Sequence, residues 1–333
     1  MDKTSQAQWK KLSAILCTGA PLADSELDCD LYRYYRHIHD ERSLKFLLED
    51  VRVLFELFAQ ETGAVLDLAC GYGINTLILR LLGVKSVVGV DYDDKKTKTA
   101  QSLAEQCGVS SATFLQGIAH QLQFDDASFT GVVVTSAISH FYHLEDTLDE
   151  IYRVLKPGGV LVIHDDTNAL HLPTRRKMRA IWRKSEYGLL DEIERLGLKQ
   201  NFFQMRQGII RELSPELSSE QAIRLAHQSR GWTANDLQAY LAAKQKGARH
   251  CVTPRFRCID PVTAIPQEQL LNPFTVLRLL RKRGFTAELC APPQWRYGGI
   301  SNLGKFRKKL RYMLWPIQIG LYQDYYIRAR KPL

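Results

Sequence analysis

No stretch of this 333-residue chain is apolar for long enough to span a bilayer, and its opening, MDKTSQAQWKKLSA, holds no apolar signal core. A cytoplasmic protein is therefore expected. Cysteine is sparse and scattered: seven residues, at positions 17, 29, 70, 107, 251, 258 and 290, with no C-x-x-C among them. An odd count without paired spacing predicts neither a disulfide framework nor a zinc knuckle. His250, Cys251 and Cys258 lie close in sequence, but no fourth ligand follows at a usual spacing, so no metal site is expected. Acidic residues are in deficit, 36 against 45 basic, for a formal charge of +9. That balance favours anionic partners and says nothing about the fold.

What is present is a globular composition, 45% apolar and 24% charged, with a regular alternation between Asp50 and Asp166. The apolar runs AVLDLA, SVVGVD, ATFLQG, GVVVTSA and GVLVIHD read as strands. Between them NTLILRLLG and DDKKTKTAQSLAEQCG repeat leucine or alanine at helical spacing and stop at Gly83 and Gly108. Continuous apolar strands alternating with helices predict a doubly wound, mostly parallel α/β sheet of the Rossmann-like kind. Two further strands, GFTAELCAP and YQDYYIRARKP, close the chain; Tyr325, Ile327 and Ala329 alternate in the second, which suits an antiparallel edge strand. From Asp166 to Asn272 helical patterns take over, with capping-box spacing at Ser218/Gln221 and Thr233/Asp236. The expected organisation is an N-terminal helical segment or lid over 1–50, a cofactor-binding core over 51–166, a helical cap insertion over 167–272 and the rest of the sheet over 273–333. An insertion that long is usually functional, and a cap over the ligand edge is the expectation.

The stretch AVLDLACGYGINTL, Ala64 to Leu77, sets the chemistry. Gly71 and Gly73 make a tight strand-to-helix turn at the sheet's carboxyl edge, where open α/β folds bind ligands. The next strand ends in Asp91, 18 residues past Gly73, near the offset at which an acid takes ribose hydroxyls. A dinucleotide site would want a third glycine three residues after Gly73, and Thr76 stands there. Asp67, four residues before Gly71, would repel a pyrophosphate and suits a ligand with a positive amino-acid moiety. The turn is therefore read as built for a cationic nucleoside rather than NAD.

VLDLACGYG, VVGVDYD, LQGIAHQLQFDDASFTGVVV and EIYRVLKPGGVLVIHD together resemble, in order and spacing, the successive motifs of class I S-adenosylmethionine-dependent methyltransferases. The likeness covers Ala64 to Asp165 and, with the closing strands, implies the seven-stranded sheet of that family. It implies S-adenosylmethionine as cofactor and a role for each matching position. Asp67 would sit near the methionine amino group, with backbone at Ala69, Gly71 and Gly73 lining methionine and ribose. Asp91 would accept from the ribose hydroxyls, Tyr92 would lie against the adenine, Ala119 would offer backbone to its edge, and Ser136 would follow at the end of the fourth strand. Many members carry an acid where this chain has Ile118, so the adenine contact from that side would be apolar or come from elsewhere.

Methyl transfer needs a base only where the acceptor is protonated. His140 and His143, just beyond the fourth strand, are the candidates, unless they cap or pack the helix that begins near Leu144. Tyr32, Tyr34 and Tyr35 could hold a sulfonium under a closing lid or simply pack a helix; His37 and His39 fit a charged helix. The fourth strand ends in TSAI and not in NPPY or DPPY, and its loop has no cysteine for attack on a pyrimidine. Nucleic acid loses ground as a partner, and a small-molecule or lipid-linked acceptor, methylated on O, N or C, gains. Three basic clusters, RRKMRAIWRK, RLLRKRG and KFRKKLRYMLWPIQIG, keep two partners open: an anionic membrane surface touched through 305–320, or RNA in an RNA methyltransferase. A non-catalytic subunit that binds adenosylmethionine and scaffolds a partner is the alternative outside enzymology.

Overall fold

The computed structural model describes residues 1–18, 31, 38–58, 63–248, 258–264, 268–291 and 318–333. Tyr32, Tyr34, Tyr35, His37, His250, Cys251 and most of the basic segment 305–320 lie outside these residues. The chain divides into two compact units, one of Met1–Ile138, His143–Asp166 and Asn272–Leu333, the other of Ser139–Tyr142 and Thr167–Leu271.

The first unit opens with helices α1 (Lys3–Thr18) and α2 (Glu41–Leu57). Asp40 starts α2 by accepting from the Ser43 N–H, and the helix then buries Leu44, Val51, Leu54 and Leu57 along one stripe. That stripe runs through residue 50 without a break, so the boundary expected between an N-terminal segment and the core falls inside a single helix. The alternating part follows as β1 (Ala64–Leu68), α3 (Ile74–Leu81), β2 (Ser86–Asp91), α4 (Asp94–Cys107), β3 (Ala112–Gln116), β4 (Phe129–Thr135), α5 (Leu144–Val154) and β5 (Leu155–Asp165). After the second unit come α11 (Pro273–Lys282), β6 (Thr286–Cys290) and β7 (Tyr325–Arg330).

The seven strands lie in the order β3-β2-β1-β4-β5-β7-β6. β1 to β5 run parallel, whereas β7 is antiparallel to both β5 and β6. The antiparallel pairing thus lies at this edge of the sheet, with β7 one strand in and β6 outermost. Helices α1 to α4 cover one face, where Val65, Val87, Val133 and Val162 join their apolar stripes. The chain winds outward from β1 to β3 and returns to β4 on the other side of β1. This reversal between β1 and β4 opens a crevice at the carboxyl ends of the strands.

The second unit holds α6 (Leu172–Tyr187), α7 (Leu190–Glu194), α8 (Phe202–Leu213), α9 (Ser219–Gln228) and α10 (Ala234–Gln245). Ser218 and Thr233 begin α9 and α10 with the reciprocal caps their spacing predicted. Ile210, Ala222, Leu225, Trp232, Leu237 and Leu241 form a core of its own. Beside it Arg206 and Glu186 make a fully buried ion pair, and the Arg206 Nε also donates to the Ala226 carbonyl.

Candidate functional site

The residues after β1 leave ordinary strand geometry at once. Ala69, Gly71 and Gly73 take φ of 61°, 54° and 72°, in the left-handed region that costs a side-chain-bearing residue free energy. Gly73 is the N-cap of α3 and has no alternative: a Cβ there would come within 2.3 Å of the Phe114 ring. Gly71 differs, because a Cβ would meet nothing within 4 Å. Its backbone borders open space, as a ligand-facing turn requires.

Two carboxylates organise this turn. Asp91, at the end of β2, accepts from the Gly71 N–H at 2.8 Å through Oδ2 and from the Asp93 N–H at 3.0 Å through Oδ1. It therefore shapes the glycine loop and keeps further lone pairs for a ligand. Asp67 is 2% exposed and accepts from the Thr76 hydroxyl at 2.6 Å. Burial is the main reason its carboxyl is pushed up to about 6; the Thr76 bond opposes the shift and neighbouring Asp91 adds to it. The same surroundings hold the Cys70 thiol well above its ordinary range, so Cys70 is a neutral side chain here.

The adenine-side positions follow from β2 and β3. Tyr92 is 58% exposed, with Lys96 Nζ 5.9 Å from its ring. The Asp91 carbonyl accepts from the Gly117 N–H, and the Tyr92 carbonyl accepts from the Gln116 amide. These bonds bring Ile118 and Ala119 beside the Asp91 end of the site; Ile118 is half exposed. Ser136, after β4, has φ 48° and donates its N–H to the His164 carbonyl. Asp67, Ala69, Gly71, Gly73, Asp91 and Tyr92 thus form one connected group, with Ile118 and Ala119 attached through Gly117.

The two candidate bases belong to different units. His143 is the N-cap of α5 without a capping side-chain bond; its Nδ1 lies 3.2 Å from Asp146 and its ring 4.3 Å from that of His120. His140 ends a short 3₁₀ turn, with its Nε2 3.9 Å from Glu268. Sequence reasoning missed Glu268, which lies 128 positions away, and gave Thr76 only a negative role. The signal for Thr76 was available, since a hydroxyl in the first turn of α3 sits above the last residues of β1. Part of one basic cluster is committed internally: Arg281 donates to the Ala287 carbonyl, and Arg283 bonds Glu145 and Asp149.

Residues 66–163 match the family profile described as a methyltransferase domain. That stretch, from β1 to β5, is therefore similar to a methyltransferase domain. The chain is 36% identical over 102 residues to the sterol 24-C-methyltransferase erg6 of Aspergillus fumigatus, covering 30% of this chain and 27% of that protein. It is 28% identical over 135 residues to the ubiquinone/menaquinone biosynthesis C-methyltransferase UbiE of Blochmanniella floridana, covering 40% of this chain and 52% of that one. The chain therefore spans between 27% and 52% of the length of these two relatives. The crystal structure of the YcgJ protein of Bacillus subtilis superposes with a TM-score of 0.46 at 14% identity, covering 86% of this chain and 99% of that one.

The geometry of the glycine turn suits S-adenosylmethionine. Asp67 is a buried carboxyl whose ionised form a neighbouring ammonium would stabilise, Asp91 has spare acceptor capacity, and the Gly71 backbone faces free space. Asp67 would hold the amino group of S-adenosylmethionine, Asp91 its ribose, and Tyr92 its base.

Proposed function

We propose that this protein is a methyltransferase that uses S-adenosylmethionine to methylate a small or lipid-linked metabolite. The observation that carries the reading is the convergence of Asp67 and Asp91 on the Gly71 turn, one acid buried and bonded to the Thr76 hydroxyl, the other bonded to the turn itself. The names of the sterol and quinone relatives agree with a hydrophobic acceptor. The cofactor supplies an electrophilic methyl group on a sulfonium, and the protein's part is to bind it, align an acceptor and exclude water. Calorimetric titration with S-adenosylmethionine is the direct test. Binding is expected for the wild type, and Asp91→Ala should weaken it by roughly 1–3 kcal/mol, the loss of charged hydrogen bonds. Unchanged affinity in that variant would remove the basis of the assignment.

Where the acceptor must lose a proton, His140 and His143 are the candidate bases; the half-exposed His140 imidazole has Glu268 3.9 Å from its Nε2. The His143 Nδ1 lies 3.2 Å from Asp146, and its ring is 4.3 Å from that of His120. In the His140→Ala variant, methyl incorporation into the natural acceptor should collapse while cofactor affinity stays at the wild-type value. Full turnover would return His140 to a structural role.

A further inference from the structure

The basic cluster RRKMRAIWRK lies on α6, in the second unit, and little of its charge is spent inside the fold. The helix carries six cations, Arg175, Arg176, Lys177, Arg179, Arg183 and Lys184, against a single acid, Glu186. Glu186 is buried and bonded to Arg206, so no acid of α6 reaches the surface. Lys184 pairs with Glu192 of α7 at 3.3 Å, and the Arg183 charge also acts on Glu192. Arg176, Lys177 and Arg179 make no ion pair among the described residues. They differ in this from Arg281 and Arg283, whose guanidinium groups are bonded within the fold.

Steps of three and four residues keep Leu172, Arg176, Arg179, Arg183 and Tyr187 on one side of the helix, and all five are exposed. Thr174, Met178 and Ser185 are buried on the opposite side. The stripe therefore has three arginines in the middle and an apolar side chain at each end. Past Tyr187 the chain turns into α7, and there Leu189 and Leu190 are 73% and 59% exposed. This corner is held by its own bonds. The Asn201 amide donates to the Gly188 carbonyl, the Leu189 N–H donates to the Glu192 carboxylate, and the Leu189 carbonyl accepts from the Glu192 and Ile193 N–H groups. The Tyr187 ring lies 5.8 Å from those of Phe203 and His227. Two leucines kept in water by a bonded backbone are a standing cost that an apolar medium would remove.

We propose that α6 and the corner after it form a docking surface for an anionic lipid membrane. The arginines meet headgroup phosphates, while Leu172, Tyr187, Leu189 and Leu190 enter the boundary of the acyl region. RNA would use the cations alone and leave the four apolar side chains in water, whereas a bilayer uses both. The acids at this end, Asp191 and Glu194, are exposed, but from Leu172 to Arg195 seven cations stand against four acids, one of them the buried Glu186. The inference goes beyond the methyltransferase reading and does not depend on it.

The test is cosedimentation of the full chain with vesicles of phosphatidylcholine alone or with about 30% phosphatidylglycerol. Partition onto the anionic vesicles should be at least about tenfold stronger and should fall as salt is raised. Replacing the three stripe arginines together, Arg176→Gln, Arg179→Gln and Arg183→Gln, should weaken it about tenfold or more. Leu189→Ser with Leu190→Ser leaves every charge in place and should also weaken it about tenfold. Urea transitions matching the wild type show that the variants are folded. In the wild type itself, phenylglyoxal modification of Arg176 and Arg183, read by mass spectrometry, should slow when the chain is vesicle-bound. Equal binding to neutral vesicles, undiminished binding in either folded variant, or unchanged arginine modification on vesicles would each overturn the proposal. So would binding to a short single-stranded RNA by a chain that ignores the anionic vesicles.

Discussion

Burial decides how Asp67 behaves, and the Thr76 hydroxyl moderates it. Its carboxyl, raised from 3.8 to about 6, keeps a proton in the folded state over a pH range in which the unfolded chain has lost it. Below pH 4 the group is neutral in both states and costs nothing; as pH rises through 6 the native protein is left with an ionised, desolvated carboxylate. Two pKa units correspond to about 3 kcal/mol, an order of magnitude for this cost at neutral pH. Asp67→Asn should therefore stabilise the ligand-free protein by roughly 1–3 kcal/mol at pH 7.5, with the gain vanishing near pH 4. Urea unfolding at both pH values reads this directly, and a destabilised variant at pH 7.5 would contradict it. Thr76→Val removes the opposing hydrogen bond and should move stability the other way, by about 1 kcal/mol. Asp67 was legible in the sequence because its place beside a glycine turn is local. Thr76 was read only as a missing glycine, because the bond it makes depends on how α3 docks above β1.

At the scale of elements, the two glycines of one turn do different work. Gly73 has positive φ and a backbone pressed against Phe114 and Ala100, so α3 and β3 can approach only without a Cβ. Gly71 has positive φ and open space, so its cost on substitution is backbone strain alone. Gly73→Ala should destabilise the protein by about 2–4 kcal/mol through overpacking added to strain. Gly71→Ala should lose about 1 kcal/mol of stability but a larger share of cofactor affinity, since its methyl enters the ligand's space. Denaturant midpoints paired with cofactor titrations separate the two; similar midpoints for both variants would show that the Phe114 contact is not rigid. The strands, the helix stops at Gly83 and Gly108 and the caps at Ser218 and Thr233 were readable in advance because each rests on residues a few positions apart. The pairing of His140 with Glu268 was not, because nothing in either local pattern refers to the other. The pairing of Thr135 with His164 and of His164 with Tyr326 was hidden for the same reason, being a property of strand register across three separate segments.

At the scale of the whole molecule, the order of strands was the least legible feature. Alternation in YQDYYIRARKP marks a strand with two unlike faces, but that pattern is equally good for an outermost position and for one further in. The structure seats β7 between β5 and β6, and among the described residues β6 pairs with β7 alone. The last strand in the chain therefore completes a sheet begun some 260 residues earlier, at β1. Tyr325, Tyr326, Ile327 and Ala329 are all buried there, and Lys331 Nζ adds 2.8 Å bonds to the Tyr152 and Leu155 carbonyls. Burying the three large side chains is worth about 1.5–3 kcal/mol each, a total comparable with the roughly 5–15 kcal/mol that holds a domain together. A chain ending at Asp324 would lose that burial, expose the ladder edge of β5 and leave β6 unpaired. Such a truncation should abolish the cooperative urea transition of the first unit and, with it, all measurable cofactor binding. A merely outermost strand would be lost with less damage, leaving a weakened but cooperative protein. Tryptophan and far-ultraviolet signals that still unfold together in the truncated chain, with cofactor binding retained, would show that the sheet closes without β7.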